Sequence, residues 1–159
     1  MGLTLDDFHL LDARDEHFAW MLDKAPAPDG LTNSDGNLDS PQVLRWLRRT
    51  LRHTGHVWIM VAGADVAGTC LYKGPVGDAG EVEIGYGVKP SHRRKGYATR
   101  AVALILEKAA ADPRIRAVTA ETALANLPSQ RVLVANGFAD VGRGHDDEEG
   151  ETIVWRREV

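Results

Sequence analysis

The stretch EVEIGYGVKPSHRRKGYATRA, residues 81–101, decides the fold that we expect for this chain. Its first part alternates between apolar and polar residues, which predicts a β-strand over 81–89 that ends at Pro90. After a basic turn, apolar residues recur at helical spacing and predict a helix over about 98–111. The sequence therefore predicts a strand, a basic turn and a helix in direct succession.

The turn concentrates positive charge at the start of that helix. It carries Arg93, Arg94 and Lys95 just before Gly96, although the whole chain has a net charge of -4. The first N–H groups of a helix have no partner within it, and the helix dipole favours an anion there. Gly96 allows close approach of the backbone to a ligand, and Thr99 adds a hydroxyl. These features predict a pyrophosphate site, with a solvated basic turn that caps a structural helix as the alternative.

The rest of the chain supplies the elements of one sheet and its helices. A capping Ser40 followed by Pro41 predicts the start of an amphipathic helix. We predict helices over 14–24, 41–53 and 127–136, a hairpin of 56–62 with 65–73, a strand over 116–122 and a final hairpin of 139–144 with 151–159. Gly137 is expected to end the last helix in a left-handed conformation. This order predicts an α+β fold with a single mixed, mostly antiparallel β-sheet flanked by helices on both faces.

Composition bounds the class of protein. The chain has 159 residues, of which 43% are hydrophobic and 26% charged, which predicts a single globular domain over 1–159. No apolar stretch approaches the roughly 20 residues of a membrane span, and the early acids do not resemble a signal peptide. The single cysteine, Cys70, favours a cytoplasmic location, and the mild acidity argues against nucleic-acid binding.

A second motif, ANLPSQRVLVANGF, covers residues 125–138 directly after a predicted strand. Together with Arg93–Ala98, which matches the pattern [QR]-x-x-G-x-[GA], it resembles the GNAT superfamily of acetyl-CoA-dependent N-acyltransferases. The second motif matches N-x-x-[SA]-x-x-[LV]-[LY]-x-x-x-G-F, and its Arg-Val-Leu sequence is similar to the branch that includes ribosomal-protein N-terminal acetyltransferases. The P-loop pattern is absent, and Pro90 occupies the place of the last glycine of a Rossmann turn.

The resemblance implies a set of residues that bind acetyl-CoA. The turn would hold the pyrophosphate, and its residues are Arg93, Arg94, Lys95, Gly96, Tyr97, Ala98 and Thr99. Gly87 and Val88 would pair with the pantetheine, and the Val88 N–H would stabilise the oxyanion that forms on attack. Asn126 would hydrogen-bond the pantetheine arm, although its position also fits a plain helix N-cap.

The resemblance also suggests which residues move protons. An alkyl amine has a pKa near 10.4, so only about one molecule in a thousand is unprotonated at neutral pH and attack needs a base. Glu83 is the first candidate for that base and Glu121 the second, with surface carboxylates as the alternative. Relatives place a tyrosine general acid where this chain has Leu133, so Ser129 is expected to act instead, with Tyr86 and Tyr97 as remoter options.

These observations predict an N-acetyltransferase that moves acetyl from acetyl-CoA to a primary amine by direct attack in a ternary complex. The acceptor is a small molecule or a protein N-terminus, and the acceptor walls are expected from the loop at 25–40 and the final hairpin. No metal is predicted, since His53 and His56 lack a third partner. Two alternatives remain: a non-catalytic acyl-CoA-binding or regulatory module, and a nucleotide-binding protein. Whether the chain forms a homodimer is left open.

Overall fold

A computed structural model describes residues 7–36 and 38–159. One seven-stranded sheet organises these residues, with the strands in the order β1-β2-β3-β4-β5-β7-β6. The strands are β1 Phe8–Asp12, β2 Val57–Ala62, β3 Asp65–Tyr72, β4 Glu81–Val88, β5 Ala117–Ala123, β6 Ala139–Asp146 and β7 Gly150–Glu158. The helices are α1 Asp15–Asp23, α2 Pro41–Thr54, α3 Tyr97–Ala110 and α4 Leu127–Ala135.

The pairing of the strands confirms a mixed, mostly antiparallel sheet. β4 and β5 are parallel, and the other five neighbouring pairs are antiparallel. The parallel pair results from the crossover through α3, which runs from the end of β4 back to the start of β5. The predicted elements are all present, with ends that differ by at most one residue in the helices and by up to two residues in the last strand pair. One strand was missed: β1 pairs with β2 at the edge of the sheet, where no strand was predicted before α1.

Local capping explains where α2 and α4 begin and end. The side chain of Ser40 accepts a hydrogen bond from the Val43 N–H at 3.2 Å, and Gly55 follows α2 with φ 73°. Gly137 follows α4 with φ 79°, which confirms the predicted left-handed residue. Phe138 then donates its N–H to the Leu133 carbonyl at 3.0 Å and is buried.

The sheet buries apolar side chains on both of its faces. Val57, Ile59 and Val61 of β2 pack in one cluster with residues of α1 and α2. The alternate residues Trp58 and Met60 pack in a second cluster with α3. Helices therefore cover both faces, as predicted. Within 7–36 and 38–159, no helix is long and apolar enough to cross a membrane.

Candidate active site

A cleft opens where the two parallel strands separate. Within the described residues, the pairing of β4 with β5 stops at Glu83 and Thr119, although both strands continue beyond that point. The cleft has a volume of about 1150 Å³. Its walls are the end of β4, the turn into α3, the start of α4 and the residues before α2, namely Leu38, Asp39 and Ser40.

The last residues of β4 present an unpaired backbone edge to this cleft. Lys73 donates its N–H to the Glu83 carbonyl, and Lys89 donates its N–H to the Ala67 carbonyl, both at 2.8 Å. Odd-numbered residues of β4 therefore bond to β3. Because peptide groups alternate in direction along an antiparallel pair, those of the even-numbered residues point to the opposite side. The Val88 carbonyl accordingly accepts a hydrogen bond from Arg93 Nε at 3.0 Å.

The basic turn leads into a helix that lacks a side-chain cap. Gly96 precedes α3 with φ 81°, and no side chain caps the helix at this end. Arg94 also has a positive φ, 62°, so the turn folds back tightly. Uncapped N–H groups at a helix start bind anions, and the exposed guanidinium groups of Arg93 and Arg94 line the same cleft.

Most residues that the resemblance assigned to acetyl-CoA line this one cleft. They are Gly87, Val88, Arg93, Arg94, Gly96, Tyr97, Ala98, Thr99 and Asn126. Lys95 is exposed and lies outside the lining. The Tyr97 ring belongs to the core, where it stacks on Phe8 with ring centroids 5.1 Å apart. Its hydroxyl is buried without a partner among the described residues.

Asn126 is the N-cap of α4. Its Oδ1 accepts the Ser129 N–H at 3.2 Å at the start of α4. Asn126 is also exposed and lines the cleft. Since the cap uses the side-chain oxygen, the NH2 group is the part of this side chain that can serve a ligand.

Tyr86 and Ser129 meet across the cleft. The Tyr86 hydroxyl oxygen lies 2.7 Å from Ser129 Oγ and 3.1 Å from the Ser129 carbonyl oxygen, to which it donates. Burial raises the pKa of Tyr86, and the hydrogen bond with Ser129 opposes that rise only in part. The phenol therefore keeps its proton over the neutral pH range. The sequence named Tyr86 only as a remote option, because nothing local showed that it reaches α4.

The two candidate bases lie on the other face of the sheet. Glu83 shares its face with Gly85, which pairs with Leu71 of the cluster beneath α1 and α2. Its carboxylate lies 3.1 Å from Lys73 Nζ. Glu121 accepts a hydrogen bond from Thr152 Oγ1 at 3.1 Å. Neither glutamate is part of the cleft lining, so a substrate amine must reach them from the face opposite Tyr86.

The sequence analysis also missed a buried polar cluster beside the cleft. Lys89 and His92, which directly follow β4, are buried and contact Asp65 at the start of β3. A lysine within a basic turn gives no signal that its ammonium is buried. Only the pairing of β3 with β4 brings Asp65 next to it.

The known proteins similar to this chain share this fold. The ribosomal L7/L12 α-N-protein acetyltransferase RimL, solved with coenzyme A, superimposes with a TM-score of 0.73 at 16% identity, over 96% of this chain and 94% of that one. RimJ of Mycobacterium smegmatis, solved with a CoA-disulfide, gives 0.69 at 22% identity over 95% and 81%. The aminoglycoside acetyltransferase AAC(6')-Ib in complex with coenzyme A gives 0.70 at 16% identity over 95% and 94%.

Sequence comparison adds a relative and a family. The uncharacterized N-acetyltransferase YjdG of Bacillus subtilis is 32% identical over 83 residues, which are 51% of this chain and 49% of the relative. The match thus spans about half the length of that relative. The profile of the acetyltransferase (GNAT) domain matches residues 3–139. The chain therefore belongs to the GNAT family of acetyltransferases, as the two motifs predicted.

Proposed function

We propose that this protein transfers the acetyl group of acetyl-CoA to a primary amine by direct attack in a ternary complex. The observation that carries the proposal is the meeting, in one cleft, of an unpaired strand edge at Tyr86 and Val88 with an uncapped helix start at Gly96. The first feature suits an extended amide-bearing arm, and the second suits a diphosphate. Acetyl-CoA combines these two chemical features and supplies the activated acetyl thioester.

The residues of the turn would contribute to binding in two ways, through backbone hydrogen bonds and through side-chain charge. The uncapped N–H groups of Tyr97, Ala98 and Thr99 would donate to the diphosphate, while Arg93 and Arg94 supply positive charge from exposed positions. Lys95, outside the lining, would contribute only longer-range attraction. The Asn126 NH2 group would donate to a carbonyl of the pantetheine arm.

The chemistry then needs three groups from this chain: a donor to the oxyanion, a base for the ammonium, and an acid for the departing thiolate. The Val88 N–H, directed at the cleft by the alternation of β4, would donate to the thioester oxygen as negative charge develops on it. Glu83 would accept the proton that the ammonium group must lose, with Glu121 as the second candidate. The amine nitrogen then forms its bond to the carbonyl carbon as the carbon–sulfur bond breaks. The nitrogen loses its second excess proton to water, from which the group that protonates the thiolate regains its own proton.

The Ser129–Tyr86 pair would return a proton to the departing thiolate. Leu133 cannot donate, and it is fully buried. Ser129 lines the cleft, and its Oγ lies within hydrogen-bond distance of a protonated phenol, so a proton lost by Ser129 can be replaced from Tyr86. This pair supports an enzyme over a non-catalytic acyl-CoA-binding module, because it offers a donor where the relatives' tyrosine is missing.

The test is a panel of amines with acetyl-CoA, in which the release of free thiol is measured. The panel contains a peptide with a free N-terminus, an aminoglycoside and spermidine. These amines represent the acceptors named for three structural neighbours, which are acetyltransferases of a ribosomal protein, of aminoglycosides and of spermidine. Amine-dependent thiol release supports the proposal. Binding of acetyl-CoA with no thiol release for any amine would favour the non-catalytic module.

Calorimetry with coenzyme A and with ATP separates the third candidate function. Both ligands carry phosphates and adenine, but only coenzyme A carries the pantetheine arm that the β4 edge would bind. Tighter binding of coenzyme A supports the proposal, and tighter binding of ATP would favour a nucleotide-binding protein.

A further inference from the structure

The carboxylate of Asp65 is the centre of the buried polar cluster beside the cleft. Its Oδ1 accepts hydrogen bonds from Thr32 Oγ1 at 2.8 Å and from the Ser34 N–H at 2.9 Å. Its Oδ2 accepts from Ser34 Oγ at 2.8 Å and lies 3.1 Å from His92 Nε2 and 3.4 Å from Lys89 Nζ. One carboxylate thus joins residues from two separate segments of the chain.

The cluster contains a buried ammonium that depends on this carboxylate. The Lys89 side chain is fully buried, and its Nζ also donates to Asn33 Oδ1 at 3.1 Å. Removing the partner of a buried charge is strongly destabilising, because the charge is left without compensation. The Lys89 ammonium supplies the positive charge beside Asp65. No group of three or more His, Cys, Asp or Glu side chains in the described part of the chain could hold a metal ion, so we treat the cluster as a network internal to the protein.

The protonation of the network follows from its contacts. Burial would raise the pKa of Asp65, but the hydrogen bonds from Ser34 and Thr32 and the charge of Lys89 lower it overall. Burial and the Lys89 charge lower the pKa of His92. A neutral His92 that accepts from Ser91 Oγ at Nδ1, 2.9 Å away, carries its proton on Nε2 and donates it to Asp65.

The two segments that Asp65 joins lead to two walls of the cleft. Lys89 and His92 both line the cleft, and they stand between Val88 and Arg93 in the chain. Thr32 is also tied to β3 by its backbone, which donates to the Ala64 carbonyl and accepts from the Val66 N–H, both at 2.9 Å. The segment that begins there leads to the cleft wall at 38–40.

We propose that Asp65 is a positioning residue for acetyl transfer, which couples the acetyl-CoA turn to the segment 32–34 on the acceptor side. On one side of Asp65, Lys89 and His92 fix the connection from Val88 to Arg93. Thr32 and Ser34 fix the segment that precedes the cleft wall at 38–40, on the side where the sequence predicts the acceptor. The proposal rests on the proposed function for its ligand. Its consequence is that binding of coenzyme A at the turn stabilises the 32–34 segment through Asp65.

Hydrogen exchange with and without coenzyme A tests this coupling. In the wild type, coenzyme A should slow amide exchange at Thr32 and Ser34, neither of which lines the cleft. Asp65→Asn should abolish this slowing and weaken the binding of coenzyme A measured by calorimetry. It should also lower kcat about 10- to 100-fold for an amine that the wild type acetylates, since small misplacements of reacting groups cost rates of this order.

A second variant keeps the test valid if Asp65→Asn does not fold. Thr32→Val with Ser34→Ala removes the two hydroxyls but leaves the contacts of Asp65 with Lys89 and His92 intact. We expect a Kd for coenzyme A within about twofold of the wild type, loss of the exchange effect, and a raised KM for the amine. Thr32→Ser with Ser34→Thr keeps both hydroxyls and should restore wild-type behaviour. Thr54→Val, at the far end of α2, removes a bonded hydroxyl elsewhere and should leave the coupling unchanged.

The outcomes separate this inference from the proposed function. A wild type that does not bind coenzyme A would overturn both. A wild type that binds it, with equal slowing of exchange and equal Kd in Asp65→Asn, would overturn the coupling alone. Loss of the exchange effect in both sets of variants, and not in Thr54→Val, supports Asp65 as the residue that joins the two walls.

Discussion

The hydroxyl oxygen of Tyr86 lies 2.7 Å from Ser129 Oγ, across the cleft that opens where β4 and β5 separate. The two residues are 43 positions apart and come from a strand and a helix. Their contact places a serine, a phenol and the unpaired edge of β4 in one space. In the proposed mechanism this contact supplies the proton that Leu133 cannot donate.

Tyr86→Phe should lower kcat by about 100-fold, near the lower end of general-acid contributions, because a thiolate with a pKa near 8.5 needs only modest help to leave. The Kd for coenzyme A should stay unchanged, as measured by calorimetry. Tyr72→Phe, on the neighbouring strand and in the core, is the matched control and should retain kcat. A wild-type kcat for Tyr86→Phe alongside a reduced one for Ser129→Ala would assign proton donation to Ser129 alone.

Deprotonation of Tyr86 should not reduce kcat at any pH below about 10. The pKa of its phenol is raised, chiefly by burial, so the protonated form, which is the proposed donor, persists to higher pH than in a free tyrosine. A profile of kcat against pH for the wild type and Tyr86→Phe measures this. A decline below pH 10 that disappears in Tyr86→Phe would contradict the assignment.

Glu83→Gln should lower kcat by at least about 100-fold, since it removes the proposed base but keeps the shape of the side chain. Binding of acetyl-CoA should be nearly unchanged, because Glu83 lies outside the cleft lining. Glu81→Gln is the control, as Glu81 stands on the same face two residues away and pairs with Arg156 at 3.1 Å. Equal rates for Glu83→Gln and wild type across the pH range would transfer the role to Glu121, which Glu121→Gln then tests.

Gly96→Ala should weaken the binding of coenzyme A and also lower the Tm. The left-handed conformation at φ 81° costs a residue with a Cβ about 1–2 kcal/mol, and in the proposed site the added methyl would obstruct the approach of the diphosphate to the backbone. Gly55→Ala imposes similar backbone strain at φ 73°, with open space around the added Cβ, at the end of α2. It should lower the Tm without changing the Kd. Equal Kd values for the two variants would remove Gly96 from the binding site.

The free energy of unfolding should fall as the pH falls through about 6.5, in part because of His92. The pKa of His92 is lowered in the folded protein, first by burial and then by Lys89. Below about pH 6.5 the unfolded chain therefore binds a proton that the folded chain does not, which favours unfolding. Urea denaturation at a series of pH values measures the slope, and His92→Gln, which keeps an N–H donor, should reduce it. An unchanged slope in His92→Gln would show that other groups cause it.

Much of the fold follows from local signals. The serine cap and proline at 40–41, the glycine at 137 and the alternation over 81–89 act through the backbone of their immediate neighbours, so they predict elements correctly. β1 escaped prediction because FHLLD has no clear alternation. It is a strand because β2 offers it an edge to pair with.

The sequence by itself determined the family, the cleft-forming strand–turn–helix and most of the residues that line the cleft, because each of these depends on residues close together in the chain. Only the tertiary structure decided that Tyr86 meets Ser129, that Glu83 and Glu121 lie on the opposite face, and that Asp65 compensates the buried charge of Lys89. These contacts join residues brought together by strand order and by the point at which β4 and β5 part. Strand order is set by burial of apolar faces across the whole sheet, and no short stretch of residues encodes it.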